Sequence, residues 1–281
     1  MSRAADSAGR PWAGRSFDHH DTAYAGDDGR EPEGWSAAVA ALAAGERPLA
    51  EVVDALRGQR LLVPLLAAAG ETGVDERGRT IDKTQELSIV TVQGPDAAPV
   101  LPMFASVQAM QAWDARARPV PTSVQRAAAA ALDGPARIVV DPGSDAELVL
   151  TRTMLEALLV ERPWRPAVAD PAVHAAIAEA LFSAPAVQAV VVATGDPRSR
   201  LQGAEVEVHV LVDDEPDARH GPDARHEQVR RAAAELGASE LLRERVTSLA
   251  VRLHRWDGGR ARLPLVAEPA YARTRAEQDA R

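Results

Sequence analysis

The spacing of hydrophobic residues in the first half of the chain predicts short strands that alternate with helices. Apolar runs begin at Leu61, Pro99 and Ile138, and the residues after Glu86 alternate between two faces, so these stretches are typical of strands. Apolar residues spaced three and four apart predict helices. The predicted strands are 61–66, 86–92, 99–106, 137–140 and 148–150. The predicted helices are 35–44, 49–56, 107–113, 124–132 and 151–160.

Several of these helices carry recognisable end signals. Ser36 and Ser106 precede apolar-periodic stretches and are predicted N-caps, because a hydroxyl there can accept from a free backbone N–H. The last of the helices is predicted to turn four apolar side chains toward the core: Met154, Leu155, Leu158 and Leu159.

The pattern changes after residue 162, where two prolines and two arginines surround Trp164 and indicate a linker. Asp170 followed by Pro171 then predicts a helix start. The later elements follow the order α-β-β-α-β, which suits a small antiparallel sheet with helices on one face. They are predicted at 172–182, 187–194, 204–212, 227–236 and 247–256.

One predicted strand of the second half, 204–212, alternates valines with polar residues. Glu205, Glu207 and His209 share the polar face, and we expect this face to be exposed to solvent. A metal or acid–base site at His209 is the less favoured alternative.

Together these patterns predict an α+β protein with two α/β-type domains, each a small mixed or antiparallel sheet packed with helices. The predicted segments are a mobile N-terminal arm (1–34), a first domain (35–162), a second domain (163–268) and a charged tail (269–281). The arm lacks apolar periodicity, which favours disorder. We nevertheless expect its segment Gly26-Asp27-Asp28-Gly29 to dock on the first domain, since carboxylates beside glycines turn tightly and accept several hydrogen bonds.

Composition excludes several classes of function. A formal net charge of −9 argues against a nucleic-acid surface, which needs a basic footprint. The absence of cysteine rules out disulfides, a thiolate nucleophile and cysteine-based metal sites. No run of about 18 apolar residues occurs, so no membrane span is predicted. The polar N-terminus lacks the apolar core of a signal peptide, and we expect a cytoplasmic protein.

The chain carries no motif of a known catalytic or nucleotide-binding site, such as a Walker A loop or a His-Glu-x-x-His helix. We therefore predict no catalytic residue, metal or cofactor, and leave open whether the protein is an enzyme. An unrecognised enzyme site around Lys83, Thr84, Asp141 and Ser144 is the alternative. A type I turn explains the Asp141–Ser144 segment more simply.

Lys83 is the strongest single candidate for a binding residue. All but one of the 32 basic residues are arginine, and Lys83 is the exception. A compact ammonium differs from a planar guanidinium in hydration and donor geometry. We predict that Lys83 and Thr84 form a polar binding site whose partner is a carboxylate, either Asp27 or Asp28 of the arm or the acidic group of a ligand. Survival of one lysine by chance is the alternative.

Several short motifs resemble a single family. In the first domain they are Leu61-Leu62-Val63-Pro64, Lys83-Thr84, Leu101-Pro102-Met103-Phe104-Ala105-Ser106, Trp113-Asp114 and Ala117-Arg118-Pro119-Val120-Pro121. Outside it they are Gly26-Asp27-Asp28-Gly29 and Glu268-Pro269-Ala270-Tyr271. With these motifs the chain resembles the SseB-like proteins of actinobacteria, which carry an SseB N-terminal domain. Met103 and Ala105 depart from the family pattern, where Val or Ala and Thr are commoner.

The resemblance implies a cytoplasmic protein with no established activity, cofactor or catalytic residues. The family is named after an enhanced-serine-sensitivity phenotype, and a link to amino-acid metabolism is a third alternative that rests on this name alone. We therefore predict a non-catalytic binding or regulatory module that acts on an unknown protein partner or a small acidic ligand. An enzyme with a site around Lys83, Thr84 and Asp141 is the alternative.

Overall fold

A computed structural model of the chain shows helices and several small sheets packed together, so the predicted α+β class is confirmed. The structure describes residues 24, 26–67, 72–74, 80–82, 87–89, 91–213, 222–256 and 263–280. Most of the predicted mobile arm (1–34), together with Lys83 and Thr84, lies outside these residues.

The first half of the described chain contains five helices and nine strands. The helices are α1 (Trp35–Ala43), α2 (Leu49–Asp54), α3 (Val107–Trp113), α4 (Val124–Leu132) and α5 (Arg152–Leu159). The strands are β1 (Arg60–Ala67), β2 (Thr72–Val74), β3 (Thr80–Asp82), β4 (Leu87–Ile89), β5 (Val92–Gln93), β6 (Pro99–Met103), β7 (Arg118–Ser123), β8 (Ile138–Val140) and β9 (Leu148–Leu150).

These strands form small sheets whose order differs from the order in the chain. An antiparallel sheet has the order β4-β1-β7, a mixed sheet has the order β5-β6-β8-β9, and β2 pairs with β3. Two main-chain bonds connect the first two sheets, because Leu62 N donates to Phe104 O at 2.8 Å and Phe104 N donates to Leu62 O at 3.0 Å. Helices α1, α2, α4 and α5 pack on these sheets. The hydrophobic core between them is mostly aliphatic and also contains Trp35 and Trp164.

The end signals of these helices were partly predictable. Ser106 caps α3 by accepting from Ala109 N at 3.0 Å, as the sequence predicts. The prediction for Ser36 is wrong, because α1 begins at Trp35 and its N-cap is Gly34. Leu159 is also 38% exposed, whereas its neighbours on α5 are buried, so its prediction as a core residue is wrong.

The second half contains a short 3-10 helix (Ala167–Ala169) and eight further elements. They are α6 (Pro171–Phe182), β10 (Val187–Thr194), β11 (Val206–Asp213), α7 (Pro222–Ala238), α8 (Glu240–Arg245), β12 (Leu249–Trp256), β13 (Tyr271–Thr274) and α9 (Arg275–Asp279). One sheet has the order β12-β11-β10-β13 and a second hydrophobic core lies between it and the helices. The sheet is mixed, because β11 and β12 are parallel.

Part of the predicted charged tail (269–281) is wrong, because residues 271–279 belong to this sheet and its flanking helix. Strand β13 pairs antiparallel with β10, and Thr274 forms a capping box with Glu277 at the start of α9. Arg275 Nε donates to Val187 O at 2.9 Å. A strand of four residues gives too few alternations to recognise, which explains the error. The division into two domains at residue 163 stays a prediction.

The polar face of β11 is also buried, and the expected exposure to solvent is wrong. Glu207 and His209 are 8% and 1% exposed. Arg252 Nε donates to Glu207 Oε1 at 2.6 Å, and His209 Nδ1 lies 2.8 Å from His254 Nε2. Burial lowers the pKa of His209. Alternation identifies the two faces of a strand but does not tell which of them is covered.

Candidate functional site

Asp27 anchors the segment before α1 on the first half of the chain. Arg60 donates two hydrogen bonds to its carboxylate, from Nε to Oδ2 at 2.6 Å and from Nη2 to Oδ1 at 2.9 Å. Arg60 also donates to Ala105 O, and Val107 N donates to Gly29 O at 2.8 Å. The predicted docking of this segment is therefore confirmed, although the cation that holds it is an arginine.

Asp27→Asn is expected to lower the free energy of unfolding at neutral pH by about 1–2 kcal/mol, because Arg60 loses a two-point charged partner. The hydrogen bond from Arg60 lowers the pKa of Asp27 below its ordinary value of 3.8. The stabilisation is therefore complete above that value and is lost as the pH falls through the lowered pKa. Urea denaturation at neutral and acidic pH measures both effects.

The matched control is Asp28→Asn. Asp28 accepts only from Arg30 among the described residues, and its side chain is 64% exposed. We expect this control to change stability by less than about 0.5 kcal/mol. Equal losses in the two variants, or a loss in Asp27→Asn that persists at acidic pH, would contradict the assignment.

The predicted pairing of Lys83 with the arm stays a prediction, because Lys83 and Thr84 lie outside the described residues. Both carboxylate oxygens of Asp27 already accept from Arg60, and Oδ1 also accepts from Gly29 N at 2.9 Å. Among the described residues, no three His, Asp or Glu side chains come together as a set of metal ligands.

Asp141 lies at the end of β8, buried to 2% exposure. Its Oδ1 accepts from Ala105 N at 2.8 Å and its Oδ2 accepts from Trp35 Nε1 at 3.1 Å. Burial raises the pKa of this carboxyl. The Asp141–Ser144 turn has Gly143 at φ 77°, so it is of type II and the predicted type I is wrong. Both oxygens thus hold α1 against the end of β6.

A cavity that the sequence did not predict lies between the two halves of the chain. Its volume is about 290 Å³. The first half contributes the turn between α1 and α2 and the start of α5, and the second half contributes the β10–β11 connection and Ser248. Most of its wall is apolar, formed by Leu42, Leu49, Met154, Trp164, Val168 and Leu201.

Direct hydrogen bonds hold the two walls of this cavity together. Ser199 Oγ donates to Val149 O and Val149 N donates to Ser199 O, each at 2.7 Å. On the other side, Arg152 Nη2 donates to Arg243 O at 2.8 Å and to Glu244 O at 2.9 Å, at the end of α8. The cavity is therefore formed by the fold itself and does not depend on a mobile loop.

Two of the residues that line the cavity, Thr151 and Glu205, each have a buried side-chain oxygen with no hydrogen-bond partner among the described residues. Thr151 is 8% exposed and is the N-cap of α5, yet its hydroxyl does not cap the helix and makes no other bond. Glu205 Oε2 accepts from Thr247 N at 2.7 Å, while its Oε1 has no partner. Buried polar groups usually have partners, so such a cluster needs an explanation.

Burial raises the pKa of Glu205, and the N–H and hydroxyl of Thr247 oppose that shift only in part. A second carboxyl in the wall, Asp196, has its pKa raised by burial as well. Its Oδ2 accepts from Leu201 N at 2.7 Å, which fixes the β10–β11 connection.

Sequence reasoning missed this cavity because its polar groups come from distant stretches. Thr151 precedes α5, Glu205 precedes β11 and Ser248 precedes β12. The sequence placed Glu205 on an exposed strand face, and only the packing of α5 against the second half brings it near Thr151. No local motif contains this information.

The residues from 36 to 157 match a family model described as the SseB protein N-terminal domain. No curated protein and no solved structure matches the chain. The matched range runs from α1 into α5, so it includes one wall of the cavity, while the opposite wall lies beyond it. No helix in the described part of the chain is long and apolar enough to cross a membrane.

Proposed function

We propose that this chain, whose residues 36–157 match the SseB protein N-terminal domain, is a non-catalytic binding module that holds a small ligand in the cavity between its halves. The observation that carries the proposal is a pre-formed apolar wall that is interrupted by a few polar residues, among them Thr151, Asp196 and Glu205. Pre-formed concave sites with a few convergent polar groups are typical of ligand pockets. A regulatory role follows if ligand binding changes how the two halves contact a protein partner.

The chemistry of the wall supports binding over catalysis. A hydroxyl nucleophile needs an adjacent base and a group that stabilises the developing charge. The described lining contains no histidine or lysine, and Arg47 pairs with Glu51 at 3.9 Å. Asp141, the residue of the alternative enzyme site that the structure describes, uses both oxygens to hold α1 and β6.

Equilibrium dialysis against the small-molecule extract of the native host tests the proposal. We expect mass spectrometry to find a compound enriched with the wild-type protein and absent with Leu49→Trp, whose indole fills the cavity. Val266→Trp, at a position 58% exposed, is the matched control and should retain the compound. Val168→Trp fills the cavity from the opposite wall, in case Leu49→Trp fails to fold. No enriched compound, or equal enrichment in all variants, would contradict the proposal.

We also propose, from the sequence alone, a separate polar binding site at Lys83 and Thr84, in a protein that acts in the cytoplasm. An acidic ligand or a protein carboxylate remains the proposed partner of that site. Lys83→Arg and Lys83→Ala are expected to change the stability by about 0–1 kcal/mol at most, because exposed ion pairs contribute little. Both should fail to complement a deletion strain, and full complementation by both would refute this site.

A further inference from the structure

We infer that the outer edge of β12 binds an extended acidic segment of a partner protein, which adds to the sheet as a further strand and inserts an apolar side chain beside α7 and α8. This inference goes beyond the proposed function and concerns a different surface of the molecule. Its failure would leave the cavity proposal unchanged.

Strand β12 forms one edge of the four-stranded sheet of the second half. Strand β11 pairs with one side of it, and no strand in the described part of the chain pairs with the other side. The edge is eight residues long, from Leu249 to Trp256. An uncovered edge presents main-chain N–H and C=O groups that can pair with another chain, and extended peptides bind many proteins by this strand addition. Strand β12 therefore offers main-chain partners to an extended segment.

A groove of about 320 Å³ lies between this edge strand and helices α7 and α8. Most of its lining is apolar, formed by Ala233, Leu236, Leu242, Val246, Leu249 and Val251. Leu253 continues the same face of β12, because it pairs in register with the core residue Val210, and it is 39% exposed. A strand added at the edge would place every second side chain over this face. The groove therefore favours an apolar residue in the bound segment.

Arginines give this surface a basic character in a chain whose net charge is −9. Arg243 is the one charged residue of the described groove lining, and its exposed guanidinium forms no ion pair with a described residue. Arg252 lies on the other face of β12, where it pairs with Glu207 at 2.6 Å and stays largely exposed. Complementary charge selects the partner of such a surface. We therefore expect acidic residues beside the apolar one.

A second copy of this chain fits the same edge less well. Antiparallel pairing of most of β12 with its own copy would bring Arg252 and Arg255 of one chain close to the same arginines of the other. Like charges at neighbouring positions of paired strands are destabilising. An acidic segment meets these arginines with the opposite charge, so the edge discriminates against self-association.

Selection of random linear peptides displayed on phage, with the full chain as the target, tests the inference. We expect the enriched peptides to alternate aliphatic with acidic residues over a short stretch. The most enriched peptide is then synthesised, and its affinity is measured by fluorescence polarisation. Enrichment of no peptide, or of peptides without acidic residues, would overturn the inference.

Gly237→Phe fills the groove from α7. A side chain at Gly237 would meet open space, and glycine is a weak helix former, so we expect this variant to fold. It should weaken the selected peptide about tenfold or more, whereas Gln228→Phe, at an exposed position of α7 outside the lining, should not. Ala233→Phe fills the groove from the preceding turn, in case Gly237→Phe fails to fold. Wild-type affinity in a folded groove-filling variant would overturn the inference.

Substitution of Arg243 tests the acidic character of the segment. Arg243→Glu should weaken the selected peptide about fivefold, because it places a carboxylate beside the acidic residues. Arg243→Lys keeps the charge and is the matched control, with an expected change of less than about twofold. Unchanged or tighter binding by folded Arg243→Glu would contradict an acidic partner.

Amide hydrogen exchange, followed by NMR, tests whether the peptide adds as a strand. On binding, exchange should slow at alternate residues of β12, because every second N–H of an edge strand points outward. Slower exchange in α7 and α8 alone would overturn strand addition. Sedimentation of the protein without peptide completes the test, and we expect a monomer. A dimer that Gly237→Phe dissociates would assign the edge to a second copy and overturn the inference.

Discussion

Phe104→Ala is expected to lower the free energy of unfolding by about 3–5 kcal/mol, the range for removing a buried aromatic ring. Phe104 is completely buried, and its ring lies 5.3 Å from that of Trp113, centroid to centroid. Its backbone also joins the sheet of β1 to that of β6 through Leu62. The cavity left behind would lie between sheets that cannot close together freely. The urea midpoint and slope measure the loss.

Leu159→Ala is the control for this prediction. Leu159 belongs to the apolar pattern of α5 but is 38% exposed, so its removal should cost less than about 1 kcal/mol. Similar losses for Phe104→Ala and Leu159→Ala would mean that the packing described for the first half is incorrect.

Asp141→Ala is expected to destabilise the protein by about 2–4 kcal/mol, because it leaves two buried donors, Ala105 N and Trp35 Nε1, without acceptors. Asp141 also has φ 49°, a conformation that aspartate and asparagine tolerate better than alanine does. Thermal and urea denaturation measure this effect.

Asp141→Asn separates the effect of the lost hydrogen-bond acceptors from the effect of the positive φ on alanine. Its amide oxygen can still accept from Ala105 N and it tolerates the backbone, so we expect a loss of about 1–2 kcal/mol. A destabilisation below about 0.5 kcal/mol in Asp141→Ala would contradict the structural role of Asp141 and reopen the alternative of an enzyme site there.

Local features of the sequence were sufficient to predict several elements. Strand β10 and helix α3 have the predicted bounds, because an uninterrupted apolar run and a serine cap each act within a few residues. The prolines around Val120 remove donors and fix φ, which suits the extended segment at β7. The position of Asp170 and Pro171 likewise predicted the start of α6.

Features that depend on distant packing could not be predicted in the same way. The parallel pairing of β11 with β12 and the addition of β13 to the far edge are set by neighbours remote in sequence. His209 alternates like an exposed residue but is covered, because both faces of its strand are packed. Leu159 has the spacing of a core residue but lies at the margin of α5.

The candidate site shows the same limit. Asp27 was correctly expected to dock, because glycines and carboxylates act locally, but its partner Arg60 is 33 residues away and gave no signal. Glu205 and Thr151 are unremarkable in sequence, and only the fold brings both to one cavity. The rarity of Lys83 is a compositional signal, and its role stays a prediction.

The most direct test of the central claim, that the cavity between the two halves is a ligand site, is a fluorine NMR titration of protein labelled with 5-fluorotryptophan. The chain has five tryptophans, and Trp164 lies in the cavity wall whereas Trp113 packs against Phe104 elsewhere. Trp164→Phe assigns the relevant resonance. With the small-molecule extract of the native host as the titrant, we predict a saturable shift of the Trp164 resonance and no shift of Trp113. An unchanged Trp164 resonance, or equal shifts at all tryptophans, would contradict the account.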